Sequence, residues 1–313
     1  MSSDWSSDVC SSDLFDRTVG PWSLFNLWRH LRERPPDILY TLTVAPCIWG
    51  RLLGRAAGVP TIVSGYRNLR PRQKERWLGR ISRRTICNAR ALREWVIEHH
   101  RLPPGRVAVV PNGVDADFFK PHPEEKTGFP LVVSLGRLVV NKQPEMLIRA
   151  FSVVADRMPE ARMIMAGNGP LRERVTRLIG ELGLEKRIEL RSGQADVRPL
   201  LNRAWVFALS SRDEGTTNVI LEAMASGLPV VAASAGGVPE LVRHGETGCL
   251  IENGDHRTMG EKLTALLQNE RLRAGMGRKG RERAVTEHSL EVMTRRTQDI
   301  LLEAHQETFG RRP

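Results

Sequence analysis

Between Glu214 and Glu240 the sequence carries a single charge, Glu222. It lies within Val219-Ile220-Leu221-Glu222-Ala223-Met224-Ala225, a run that is apolar at every other position. A helix that is hydrophobic all round is buried, and a buried carboxylate needs hydrogen-bond partners or neutralisation. The neighbouring sequence supplies neither. The partner is either a pair of vicinal hydroxyls, such as those of a ribose, or an arginine from elsewhere in the chain. Just ahead, Glu214-Gly215-Thr216-Thr217-Asn218 forms a polar turn. Thr216, Thr217 or Asn218 can cap the helix, and the free amides there make an anion site. Gly215 permits close backbone approach.

Two further groups accompany this one. A strand at residues 131–135 runs into Gly136-Arg137 and then Lys142. Ligands bind beyond the carboxyl ends of parallel strands, where an arginine and a lysine can neutralise a diphosphate. Alone, such a pair is equally an ordinary pair of solvated charges. Gly167-Asn168-Gly169-Pro170 is a strand-to-helix turn, read as structural with Pro170 at the first helical position. It lacks the third glycine of a dinucleotide fingerprint, and no acidic residue follows at the required place, which argues against a nicotinamide enzyme. Gly236-Gly237 before Pro239-Glu240 opens another short helix and can line the same crevice.

The elements that must position these groups follow from the apolar pattern. Strands are expected at 38–43, 61–64 and 107–110, with helices at 47–57 and 89–100 and a short run at 85–88. A second series follows: strand 131–135, helix 144–157, strand 162–166, helix 170–182, strand 187–191, strand 205–209, helix 217–226 and strand 229–233, then helices to the end. Repeated βα units imply parallel sheets covered by helices. Residues 120–130, proline-rich, charged and aperiodic, are expected to link two α/β domains. The first shows few strands for a doubly wound half, which fits a missing front end. Residues 1–14 repeat Ser-Ser-Asp three times and resemble a translated sequencing adapter, so they are excluded as a non-native leader. The expected division is 1–14, a partial first domain 15–119, the linker 120–130, a second domain 131–295, and a helix and tail 296–313.

The 313 residues are 41% apolar and 27% charged, a globular composition and neither a disordered nor a collagenous one. No apolar run approaches the roughly 18 residues of a spanning helix. Four scattered cysteines give no disulfide framework or zinc site and fit a reducing, cytoplasmic compartment. The net charge of +11 is concentrated in the front half. From Arg67 to Arg84 there are eight basic residues and one acid, with Trp77, Leu78, Ile81 and Ile86 interleaved at helical spacing. This stretch is either a solvated helix or a peripheral contact with an anionic membrane. No stacking platform accompanies the charge, so nucleic acid is not expected as a partner.

Taken in order, the set resembles glycosyltransferase family 4. It comprises strand-Gly136-Arg137-x4-Lys142, Gly-Asn-Gly-Pro-Leu, Glu214-x7-Glu222 running into Ala-Ser-Gly-Leu-Pro-Val-Val-Ala, and Gly-Gly-Val-Pro-Glu. Val109-Val110-Pro111-Asn112-Gly113-Val114-Asp115 resembles the segment closing that family's first domain. The resemblance implies a GT-B fold, two Rossmann-like α/β domains, with the first incomplete here. It implies a retaining, metal-independent transferase that uses a nucleotide-sugar donor and a glycan or lipid-linked acceptor, with no cofactor. Arg137 and Lys142 would bind and stabilise the departing diphosphate, and Glu214 the donor sugar. Gly136, Gly215, Thr216, Thr217, Asn218 and Val219 would contact the donor, and Glu222 would hold the ribose. The family's glycine-rich first loop and its first-domain histidine have no counterpart here, and His99 and His100 read as surface residues. A catalytically silent sugar-nucleotide-binding subunit and a GT-B epimerase remain as alternatives.

Overall fold

The computed structural model describes residues 20–67, 75–193, 196–212 and 215–310. Glu214 and residues 1–14 therefore lie outside the described residues. The described residues form two compact units, one within 20–111 together with 293–310 and the other within 112–292.

The first unit opens with helix α1 (Pro21–Glu33) and then alternates β1 (Ile38–Thr41), α2 (Val44–Ala56), β2 (Thr61–Tyr66), α3 (Glu75–Leu78), β3 (Arg84–Cys87), α4 (Arg90–His100) and β4 (Val107–Val109). All four strands are parallel, in the order β1-β2-β3-β4. Strands that advance in one direction through right-handed crossovers place every connecting helix on the same face. Side chains alternate accordingly. Ile62 packs with Leu31, Leu39 and Leu53, and Cys87 with Leu92 and Val96. The opposite face, Val63, Ile86 and Val110, has no connecting helix and is covered by Ala304, Met293, Ile300 and Leu301 of the C-terminal helix Leu290–Phe309.

The basic stretch departs from the expected amphipathic helix. Its described part is one helical turn, α3, followed by strand β3. Ile81 and Ile86 go into the core, and Trp77 is 71% exposed, with the Arg80 guanidinium 6.0 Å from its ring centre. Arg83 pairs with Glu307 at 3.2 Å, and Arg84 pairs with the same carboxylate. Glu75, the single acid of the stretch, is buried. Arg51, 1% exposed on α2, grips it with two hydrogen bonds of 2.8 and 2.6 Å. His100 also differs from its surface reading. It is buried, with Nε2 2.9 Å from the Tyr66 hydroxyl, while His99 stacks on Trp95.

The second unit holds six parallel strands: β5 (Leu131–Leu135), β6 (Arg162–Ala166), β7 (Ile188–Arg191), β8 (Val206–Leu209), β9 (Val230–Ala233) and β10 (Gly248–Ile251). Their order is β10-β9-β8-β5-β6-β7. The chain moves outward from β5 through β6 to β7, returns to β8 on the other side of β5, and moves outward again. Helices α5 (Pro144–Arg157) and α6 (Arg172–Glu181) pack on one face, and α7 (Arg198–Arg203) and α8 (Asn218–Ala225) on the other. The run Gly-Cys-Leu-Ile, expected among helices, forms the edge strand β10. The expected linker at 120–130 is instead fastened to this unit. Phe129 packs on its core, the Trp205 indole donates to Thr127 O at 3.0 Å, and the Lys126 ammonium donates to Ala204 O. Burial lowers the Lys126 pKa to about 8. Among the described residues no helix is long and apolar enough to cross a membrane.

The Arg51–Glu75 pair yields a stability prediction. Arg51→Ala strands a buried carboxylate and is expected to cost about 3–5 kcal/mol in urea unfolding. The double change Arg51→Met with Glu75→Leu is expected to recover most of that loss. A cost below about 1 kcal/mol for the single variant would show that the pair is not buried in solution.

Candidate functional site

The strand order reverses between β5 and β8, which are hydrogen-bonded neighbours. At such a reversal the loops leaving the two strands diverge to opposite faces and leave a crevice at their carboxyl ends. The loop after β5 carries Gly136, Arg137 and Lys142, and the loop after β8 carries residues 215–219. The two nominated groups, 73 or more residues apart in sequence, thus leave neighbouring strands at the same end of the sheet.

The loop after β5 is held at several points. Gly136 N–H donates to Ala166 O at 3.0 Å, and Leu138 N–H to Asn168 O at 2.8 Å. This contact explains the Gly-Asn-Gly turn. A Cβ on Gly167 would lie 1.9 Å from Gly136 O, and one on Gly169 would lie 2.3 Å from Leu138 O. The glycines let the β6 loop press against the backbone that carries Arg137. The turn is structural, as its sequence suggests, although α6 begins at Arg172, two residues after Pro170. Beyond Lys142, Gln143 adopts φ +47° at the N-cap position of α5.

The loops after β5 and β8 are also tied to each other. The Ser210 hydroxyl, at the end of β8, lies 2.8 Å from Lys142 O and 2.9 Å from Gln143 O. Arg212 N–H donates to Asn141 O at 3.0 Å. Neither Ser210 nor Arg212 stands out in the sequence, because only the adjacency of β5 and β8 gives them their role. Asn112, legible only as part of a turn, donates from Nδ2 to Asn218 Oδ1 at 2.7 Å and to Thr216 O at 3.4 Å.

Helix α8 leaves a narrow open stripe. Ile220, Leu221, Ala223, Met224 and Ala225 are buried in the core, while Asn218 is exposed and Val219 and Glu222 are half-buried. Residues three and four apart share a helix face, so Asn218, Val219 and Glu222 lie along one line. That line joins the first turn of α8, whose leading amides have no intrahelical acceptor, to the Glu222 carboxylate. Glu222 has no side-chain hydrogen bond or ion pair among the described residues, so the arginine alternative finds no support there. Burial alone raises its pKa to about 7. Thr217, the N-cap residue, is buried and makes no capping bond, and its hydroxyl has no partner among the described residues. Arg137 is exposed, and Gly136, Lys142, Gly215 and Thr216 are half-buried. Gly236 and Gly237 follow β9, the strand beside β8. This end of the sheet therefore offers two cations, a helix N-terminus and a carboxylate acceptor, the complement of a phosphorylated ligand with hydroxyl groups.

Comparison with known proteins is consistent with this geometry. The model of the glycosyl transferases group 1 matches residues 115–283, and that of glycosyltransferase family 4 matches residues 12–118. A GDP-mannose-dependent alpha-(1-6)-phosphatidylinositol monomannoside mannosyltransferase of Mycolicibacterium smegmatis is 35% identical over 201 residues, 58% of this chain and 53% of the relative. A D-inositol 3-phosphate glycosyltransferase of Corynebacterium glutamicum is 34% identical over 215 residues, 61% of this chain and 50% of the relative. The chain thus spans about half the length of these curated relatives. Among solved structures, a glycosyltransferase from Rickettsia africae superposes with a TM-score of 0.80 at 18% identity, covering 94% of this chain and 83% of that one. Anabaena Alr3699/HepE in complex with UDP gives 0.80 at 22%, covering 90% and 82%. The fold is GT-B, two parallel-sheet α/β domains.

Glu222 makes stability depend on pH. Its folded pKa, about 7, lies above the ordinary value of 4.5, so the folded chain holds this proton more tightly and ionisation destabilises it. The penalty is absent below about pH 4.5, grows as the pH rises towards 7, and stays above it. Glu222→Gln is therefore expected to gain stability relative to the parent between pH 5 and pH 8, by up to about 3 kcal/mol. Parallel stability profiles for the two proteins would show that this carboxyl titrates normally.

Proposed function

The chain belongs to the glycosyl transferases of group 1, and we propose that it moves a sugar from a nucleotide-sugar donor to a glycan or lipid-linked acceptor. The observation that carries this reading is Glu222, half-buried, without a protein partner among the described residues, and in line with the first turn of α8. A carboxylate so placed accepts from two vicinal hydroxyls. On this reading it holds the ribose, and the turn at residues 215–219 meets the sugar and the adjoining phosphate. Arg137 and Lys142, on the neighbouring strand end, meet the diphosphate.

The chemistry asked of the site is then electrostatic. The bond from the sugar's anomeric carbon to the diphosphate breaks, a bond to the acceptor oxygen forms on the same face, and the acceptor proton passes to the departing phosphate oxygen. Configuration is retained without a protein nucleophile. Arg137 and Lys142 offset the charge that grows on the leaving group, a task that needs no metal ion in this arrangement. Glu214, outside the described residues, takes the donor-sugar hydroxyls by its place in the family motif. The Mycolicibacterium relative is named for a phosphatidylinositol-linked acceptor, which supports a lipid-linked substrate. Among the described residues of the basic stretch, Arg67, Arg76, Trp77 and Arg80 are exposed and available for contact with an anionic surface.

Calorimetric titration of the full chain with UDP, GDP and ADP tests the reading. One diphosphate is expected to bind selectively, and Glu222→Ala to weaken it by the roughly 1.5–3 kcal/mol of charged hydrogen bonds, about 10- to 150-fold. Undiminished affinity in a folded Glu222→Ala variant would remove the ribose role. Absence of binding for all three would count against the donor site.

A further inference from the structure

Asn112 is the first residue of the second unit. It is 8% exposed, and its side chain reaches 104 and 106 residues along the sequence to Thr216 and Asn218. The backbone beside it is fixed. Val114 N–H donates to His288 O at 2.8 Å, and Leu290 N–H donates to Val114 O at 3.1 Å. The Arg281 guanidinium donates to Ala116 O and Phe119 O a few residues on. Asn112 thus projects from an anchored segment, and the turn at residues 215–218 hangs on it.

The hydrogen bonds also have a sense. Thr216 O is a carbonyl and can only accept, so the Asn112 atom facing it is the amide nitrogen. That nitrogen carries two N–H groups, and the second points to the Asn218 side chain, whose facing atom must then be Oδ1. The Asn218 amide is planar, so Nδ2 occupies its other arm. It has no protein partner among the described residues, and Asn218 is exposed at the first position of α8. One backbone carbonyl therefore dictates, through Asn112, which end of the Asn218 amide is offered outward. The end offered is a hydrogen-bond donor beside the leading amides of the helix.

We propose that Asn112 is a positioning residue for the sugar-nucleotide turn, locking Asn218 in the orientation that presents Nδ2 to phosphate or hydroxyl oxygens of the ligand. The inference rests on the reading of residues 215–219 as part of the donor site. An acid at position 112 would reverse the sense. It accepts only, so Asn218 turns its Nδ2 inward and offers Oδ1 outward. The same acid repels Thr216 O and brings a negative charge near the bound phosphates.

The test measures two properties of the full chain for wild type, Asn112→Ala and Asn112→Asp. The first is amide hydrogen exchange of residues 215–219 without ligand. The second is affinity for UDP, GDP and ADP. Exchange is expected to quicken roughly five- to tenfold in Asn112→Ala, the equivalent of one lost hydrogen bond, and by less in Asn112→Asp, which keeps a bond to Asn218. Affinity is expected to fall in the opposite order, with Asn112→Asp weaker than Asn112→Ala. A residue that merely braces the turn gives the same order in both measurements, and that result overturns the proposal. Unchanged exchange in Asn112→Ala overturns it as well, whatever the ligand does. If wild type binds none of the diphosphates, the sugar-nucleotide reading fails separately, while the exchange result still decides whether Asn112 holds the turn.

Discussion

The reversal of strand order between β5 and β8 is the constraint from which the rest of the second unit follows. A parallel sheet built outward in one direction keeps its helices on one face and its loops in a staggered row. A sheet that returns past its first strand must send the next helices to the other face. Two neighbouring strands then end in loops that part company, and the backbone groups at those ends face no covering element. The chain fills this place with the Gly136-Arg137 loop and the turn ahead of α8, fastened to each other through Ser210 and through Arg212 N–H. The glycines of the β6 loop belong to the same construction, since any side chain on Gly167 would push Gly136 away. Position comes from topology, and the charges matter because of where it puts them.

Glu222 shows how an apolar helix and a polar site share eight residues. Burying five side chains of α8 roots it in the core and fixes its axis, while the open stripe leaves Glu222 half-buried. Desolvation is the whole cause of its raised pKa. No cation among the described residues relieves it, so the cost is borne by the folded protein until a hydrogen-bond donor arrives. A paired carboxylate would be more stable and less able to bind hydroxyls. This is the pattern expected where a local rule is broken at a functional position and the surrounding core tolerates it.

The second unit was the more legible part of the sequence. The expected elements at 131–135, 144–157 and 162–166 match β5, α5 and β6 to the residue, because their apolar periods are strong and their turns are marked by glycine and proline. The isolation of Glu222 in an apolar run was equally plain. Other features depend on partners distant in sequence and left no local mark. Residues 120–130 look like a linker by composition, yet Thr127 and Trp205 join them to the unit across 78 residues. The basic stretch has helical spacing, but its described part gives way to strand β3 at Arg84, and Glu75 is turned inward to Arg51. His100 closes a helix as a surface residue would, and its partners Tyr66 and Trp95 become visible only in the fold.

The first unit poses the complementary problem, and its solution binds the chain's end to its core. Four parallel strands in sequential order leave Val63, Ile86 and Val110 without a covering helix of their own. A one-sided parallel sheet is unstable in water because its strands are apolar on both faces. The missing layer comes from Leu290–Phe309, more than 180 residues after β4. Glu307 on that helix then pairs with both Arg83 and Arg84 at the start of β3. Two arginines that look in sequence like surface charge are thus part of the lock that holds the returning helix. The basic character of the front half therefore has a structural share, fixed by the need to cover a sheet face.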